Sequence, residues 1–154
     1  MIDNPKFALF DLDGTLIDNI SKTSFSEGET FDWVKFMERS LECCTFDSTY
    51  LLMKEYQSQG ITCMICTARP DAFEEIIASD LLNRNLGEDM LIMRCDELWK
   101  AEIKALEGIT DPAEIKRIVH SHHAYYRQCI IEDIEHQFGK GSIKYAIDDQ
   151  SVNL

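Results

Sequence analysis

The stretch Phe7-Ala8-Leu9-Phe10-Asp11-Leu12-Asp13-Gly14-Thr15-Leu16 decides how this chain reads. An apolar run of strand length breaks into an Asp-x-Asp-Gly turn, so two carboxylates stand two residues apart where the strand ends. Strand side chains alternate between faces, which turns Asp11 and Asp13 to the same side. Gly14 lets the backbone turn sharply around whatever lies between them. Two carboxylates this close bind a divalent cation well. They also permit a division of labour, Asp11 attacking phosphorus and Asp13 handling the proton of the leaving group, so the layout suits phosphoryl transfer. A strand end with an ordinary Asp-Gly turn has the same local sequence; the apolar strand before it and Thr15-Leu16 after it favour a site.

Outward from this stretch, apolar runs alternate with helical patterns, the signature of a parallel sheet covered by helices on both faces. Strands are expected at Phe7 to Asp11, Ile61 to Cys66, Met90 to Met93 and Ile143 to Asp148. A polar stretch, Asp18 to Thr30, follows the first. Trp33, Val34, Met37 and Leu41 then line one helix face, and Leu51, Leu52 and Tyr56 a second, which stops at Gly60. Pro70 with Asp71 opens a helix carrying Phe73, Ile76, Ile77 and Leu81 at core spacing. Asp111-Pro112-Ala113-Glu114 starts another, with a cap and a proline at the first helical position. A last helix carries Ile130, Ile134 and Phe138 and ends at Gly139. No repeat, low-complexity tract or interdomain linker interrupts the chain.

The other chemical candidates fall at the carboxyl ends of these strands, where an open α/β sheet places its site. Cys66-Thr67-Ala68-Arg69-Pro70 follows the second strand. Thr67 either holds a phosphate oxygen, with the freed amides of the turn, or only caps the helix. Asp148 and Asp149 end the last strand and either face solvent or complete a magnesium site with Asp11. Arg69 and Arg94 sit just past strand ends, in reach of a substrate phosphate or sugar, or else as surface salt-bridge partners. Trp33 and Phe36 read as core, with stacking on a base as the alternative. His120, His122 and His123 lack a partner set for a metal and read as a solvated face.

The 154 residues fit one compact domain, and 45% hydrophobic residues suffice for a continuous core. With 15 basic against 28 acidic residues the net charge is -13, which disfavours broad contact with a polyanion. Anionic substrates are then met locally, by a metal and a few cations, and small nucleotides are favoured over long strands. The apolar start is only a strand's length, so neither a signal segment nor membrane contact is expected, and the location is expected to be cytoplasmic. The six cysteines read as reduced core residues. Cys63 and Cys66 fall on opposite faces of one strand, which argues against zinc or redox use.

Asp11-x-Asp13-Gly14-Thr15, Thr67 and Asp148-Asp149 together resemble the haloacid dehalogenase (HAD) superfamily, over nearly the whole chain. Its phosphatases work through an aspartyl-phosphate. More narrowly, Asp32-Trp33-x-x-Phe36, Thr67-Ala68-Arg69-Pro70, Leu91-Ile92-Met93-Arg94 and Ala146-Ile147-Asp148-Asp149 are similar to the phosphatase domain of phage polynucleotide kinase and the small phage phosphatases related to it. The resemblance implies a HAD-like, Rossmann-like α/β domain with a small cap-like insertion at about 18–58. It implies a magnesium-dependent phosphomonoesterase acting on a free nucleotide or the 3′-phosphate of a nucleic-acid end, in a host cytoplasm if phage-encoded. Asp11 becomes the nucleophile and Asp13 the general acid. Magnesium is held by the Asp11 carboxylate, the Asp13 carbonyl and Asp148, with Asp149 supporting them. Thr67 holds a phosphate oxygen, and Gly14, Thr15, Arg69 and Arg94 bind substrate.

The superfamily also places a cation at the start of the helix before the last strand. Arg127 matches best by spacing, although such relatives usually carry lysine, and Lys116 is the fallback. Two departures stand out. The segment from Asp96 to Ala124 is longer than in the phage phosphatase, so an added helical lid or interface is expected there. The sequence also stops four residues after Gln150, where relatives continue, so a homodimer that protects the open sheet edge is expected. A sugar or metabolite phosphatase of the same fold, or a non-catalytic module, are the competing readings.

Overall fold

Four parallel strands, β1 (Phe7–Asp11), β2 (Thr62–Pro70), β3 (Met90–Arg94) and β4 (Ile143–Ile147), form one sheet in the order β3-β2-β1-β4. The computed structural model describes residues 5–19, 32–86 and 90–148. Parallel neighbours need crossovers, and helices supply them. The helices α1 (Trp33–Leu41) and α2 (Asp47–Ser58) lead from β1 to β2. A 3₁₀ turn (Asp71–Phe73) and α3 (Glu74–Asn83) lead to β3, and α4 (Asp96–Leu106) and α5 (Pro112–Phe138) lead to β4. Among the described residues no helix is long and apolar enough to cross a membrane.

The alternation of β1 sorts the core into two layers. Ala8 and Phe10, with Cys63 and Ile65 of β2, pack on Met37, Met53, Ile77 and Leu81 from α1, α2 and α3. Phe7 and Leu9, with Met64, face the other way onto Tyr126, Ile130 and Ile134 of α5. Asp11 shares the parity of Phe7 and Leu9, so the strand itself directs its carboxylate to the α5 side of the sheet. Cys63 lies in the first layer and Cys66 packs on the second, as their spacing requires. All six cysteines are free.

Several boundaries differ from the sequence expectation, each for a local reason. β2 continues through Thr67 to Pro70, because β3 pairs with it again at Pro70↔Arg94 after an irregularity in register. Pro70 therefore ends a strand instead of opening a helix, which a terminal strand position tolerates. The two helices expected after Asp111 are one, 27 residues long, capped by Asp111 through the Ala113 N–H. No glycine or proline lies between Ala113 and Phe138 to break it. Four of the expected core positions, Val34, Leu41, Leu51 and Ile76, are exposed, and the fully buried residue of α2 is Met53. Apolar residues at 50, 51, 52, 53 and 56 fit more than one stripe, so periodicity alone did not choose the face. Most of the polar stretch Asp18 to Thr30, within the expected cap at 18–58, lies outside the described residues, as do Asp149 and Gln150.

Candidate active site

In an open parallel sheet the carboxyl ends of all strands reach one edge, and here they bring carboxylates together. β1 and β4 pair as far as Phe10↔Ile147, the residues that directly precede Asp11 and Asp148. Adjacent strands run about 5 Å apart. A cleft of about 610 Å³ opens at this edge, lined by Asp11, Asp13 and Asp148 and walled by α5 through Arg117, His120, His123 and Arg127. Its floor is apolar, from Leu9, Phe10, Ile130 and Ile131.

Each acidic group is held differently. Asp11 Oδ2 accepts the Thr15 hydroxyl at 3.5 Å. Gly14 turns the chain back with φ 78°, a left-handed conformation that glycine adopts without strain. Its N–H is taken up inside the turn, donating to the Ile17 carbonyl at 2.9 Å and to Asn19 Oδ1 at 3.0 Å. Asp13 belongs to a closed ring. Its Oδ1 accepts from Asn19 Nδ2 at 2.7 Å and from Arg69 Nη2 at 2.6 Å, while Ser40 Oγ accepts from the same two side chains at 3.0 and 3.1 Å. Arg69 Nε also reaches Asp13 Oδ2 at 3.3 Å, making the pair bidentate. Asp148 Oδ2 accepts from Arg127 Nη1 at 2.9 Å. Charge-assisted bonds of this kind fix carboxylate orientation more firmly than neutral ones.

The structure therefore gathers Asp11, Asp13, Asp148 and Arg127 on one cleft, and buries Thr67, Arg69 and Arg94. Lys116 is exposed and lies about 16 Å along α5 from Arg127. Thr67 is buried, and its Oγ1 accepts the Arg69 N–H at 3.2 Å. Arg69 is 2% exposed and stacks its guanidinium 5.2 Å from the Phe36 ring centre. Arg94 is 1% exposed, 3.1 Å from Glu102 Oε1 of α4 and 4.7 Å from the Trp99 ring centre. Neither arginine is a surface salt-bridge partner. Trp33 packs edge-on against Phe36 and Trp99, at 5.4 and 5.5 Å between centres, and Trp33 and Phe36 rest on the first core layer.

The expected solvated face of histidines holds only in part. His120 is exposed but on the cleft wall. His123, also on that wall, comes within 3.6 Å of Glu102. Burial, then the Arg94 charge, hold the His123 imidazole below its ordinary pKa against the pull of Glu102. Among the described residues no three His, Cys, Asp or Glu side chains gather as a metal cage. Asn19, Ser40 and Glu102 were not anticipated. Asn19 follows Asp13 by six residues within the same turn and carried a readable cue in its amide. Ser40 and Glu102 come from helices far along the chain and had none.

Cys66 sits at the cleft floor, its thiol pKa pushed up to about 12 by burial first and then by Asp11, with Arg127 pulling the other way. Alkylation of the native protein at pH 8 should label the exposed Cys44 and Cys95 and spare Cys66 until the chain is denatured, as read by mass spectrometry. Labelling of Cys66 as fast as Cys95 would contradict this environment. Because the folded pKa lies above its ordinary 9.0, the unfolded chain releases the proton first. Cys66 thus lowers stability as pH rises from 9.0 towards about 12.

No protein-family model matches the sequence, and no curated protein matches it. Solved structures do match in fold. A chain of the Pnkp1/Rnl/Hen1 RNA repair complex superposes with a TM-score of 0.59 at 17% identity, over 96% of this chain and 37% of that one. A second structure of the Pnkp1/Rnl/Hen1 complex gives 0.53 at 16%, over 93% and 38%. The class C acid phosphatase from Bacillus anthracis, solved with tungstate bound, gives 0.51 at 13%, over 94% and 66%. This chain spans little more than a third of the first two matched chains. At such identities the likeness is one of fold, and together with the β3-β2-β1-β4 parallel sheet it makes this an α/β domain of HAD-like fold.

Proposed function

We propose that this chain is a magnesium-dependent phosphomonoesterase that forms an aspartyl-phosphate on Asp11 and acts on nucleotide-type substrates, either a free nucleotide or the 3′-phosphate of a nucleic-acid end. The observation that carries the reading is the convergence of Asp11, Asp13, Asp148 and Arg127 on one cleft at the carboxyl ends of the strands. The likeness in fold to a class C acid phosphatase lends it support.

The chemistry follows from these side chains. An Asp11 oxygen attacks phosphorus as the bond to the leaving-group oxygen breaks, and Asp13 delivers a proton to that oxygen. Asp13 then takes a proton from water, whose oxygen attacks the phosphoryl group and restores the Asp11 carboxylate. The ring of Arg69, Asn19 and Ser40 keeps the Asp13 carboxyl at one place through both proton transfers. Arg127, anchored on Asp148, sets a fixed positive charge on the cleft wall, where it offsets charge on the transferring group.

The donors fit magnesium. Two carboxylates and a backbone carbonyl are hard oxygen ligands, and this ion takes one or two carboxylates while keeping water and substrate oxygens. Asp11, Asp148 and the Asp13 carbonyl would hold it, and when bound it neutralises the phosphoryl charge so that two anions can approach.

The test is magnesium-dependent phosphate release from 3′-phosphorylated oligonucleotides, 3′- and 5′-mononucleotides and common sugar phosphates. Preference for a nucleotide supports the reading, preference for a sugar phosphate moves it within the fold, and silence from a folded protein removes it. Arg127→Ala should lower kcat/KM about 100-fold or more, with Arg127→Lys recovering part of the loss, since a cation is restored without the planar fork. Equal rates for Arg127→Ala and wild type would take Arg127 out of the reaction.

A further inference from the structure

The cleft is larger than one phosphoryl group needs, and its far wall has a distinct chemistry. At about 610 Å³ it has the size of a site for a whole small ligand. Its α5 wall carries Arg117, His120, His123 and Arg127 at spacings of three and four residues, which is one face of a helix. At about 1.5 Å of rise per residue, His120 lies about 10 Å and Arg117 about 15 Å along the wall from Arg127. In a chain of net charge -13, cationic and hydrogen-bonding nitrogens thus run from the carboxylates to the outer end of the cleft.

We propose that Arg117 and His120 form a second anion subsite, so that the preferred substrate carries a further phosphate beyond the scissile one. This rests on the phosphomonoesterase reading and deepens it. Arg117 is paired with Glu114, but Arg117 is exposed, Glu114 half-exposed, and the two are neighbours on one helix, a pairing that contributes little and yields to a phosphate oxygen anion. His120 is exposed beside it and supplies a ring N–H. His123, turned to the buried Glu102, lines the wall between the two ends, and Ser121 adds a hydroxyl. The second phosphate has two chemical sources, the 5′-phosphate of a nucleoside bisphosphate or an internal phosphate of a short strand. The distance along the wall favours the longer spacer.

The experiment compares kcat/KM at fixed ionic strength and saturating magnesium for a nucleoside 3′-monophosphate, a nucleoside 3′,5′-bisphosphate and a 3′-phosphorylated trinucleotide. Wild type, Arg117→Gln and Arg117→Gln/His120→Gln are each measured. The expected result is a preference of about tenfold or more for a substrate with a further phosphate, collapsing towards one in the double variant, with the better of the two substrates naming the source. Both positions are exposed, so unchanged circular dichroism is expected. Equal kcat/KM across the series in wild type, or a preference that survives in the double variant, overturns the subsite while leaving the phosphatase intact. If no substrate turns over, the phosphatase reading fails. Calorimetric binding of the trinucleotide then decides the subsite alone, a tenfold weakening in Arg117→Gln supporting it and equal affinity overturning it.

Discussion

Asp11→Asn should abolish magnesium-dependent phosphate release, by at least about 1,000-fold, while the protein stays folded and melts at the same temperature or slightly above wild type. The amide has the shape of the carboxylate and still accepts the Thr15 hydroxyl, so the turn after β1 keeps its local bonding. What it lacks is the nucleophilic charge. The same change removes one of three carboxylates lining a single cleft, which relieves like-charge repulsion and so does not lower stability. Phosphate release followed on the best substrate, with thermal unfolding in parallel, checks both halves. A variant that retains a tenth of the wild-type rate would mean that Asp11 is not the attacking group.

Glu102→Ala should be the most destabilising single change outside the apolar layers, by about 3–5 kcal/mol, because it leaves the Arg94 guanidinium charged and buried without its counterion. Arg94 and Glu102 are almost wholly shielded from water, and the Arg94 nitrogens make no hydrogen bond among the described residues, so the ion contact and the Trp99 face are what offset the charge. Replacing both partners, as Arg94→Met with Glu102→Leu, should recover most of the loss, since an apolar pair of similar volume removes two desolvation costs together. Urea unfolding midpoints of the three proteins make the comparison. A Glu102→Ala protein as stable as wild type would refute the buried pair. The double variant also judges Arg94 itself. Retained turnover assigns Arg94 to joining β3 to α4, and lost turnover with an intact fold assigns it to the substrate.

Legibility followed locality. The parallel α/β class, the β1 boundary and the approach of Asp11 and Asp148 to one edge of the sheet could be read because strand alternation and the carboxyl-end rule need only short stretches of sequence. Arg127 is the best match, by its spacing to Ile130, Ile134 and the last strand, to the cation that the family resemblance implies, and in the structure it meets Asp148 at 2.9 Å. Where periodicity is degenerate, the sequence leaves the buried face open. The crowded apolar positions of α2 did not reveal that Met53 is buried and Leu51 exposed. A start signal at Asp111 and a stop at Gly139 say nothing of the residues between, so the continuity of α5 is not legible in the sequence.

The sequence by itself determined the four strands and their order along the chain, the place where the chain turns at Gly14, and the residue types available for phosphoryl transfer, because propensity, alternation and turn chemistry are properties of neighbours along the chain. Only the tertiary structure decided which of those groups meet. The ring of Asp13, Asn19, Ser40 and Arg69 and the burial of Arg94 against Glu102 each join residues from separate elements. Such meetings depend on how helices pack across a twisted sheet. That packing is a sum of many small contact energies over the whole core, which no local stretch of residues encodes.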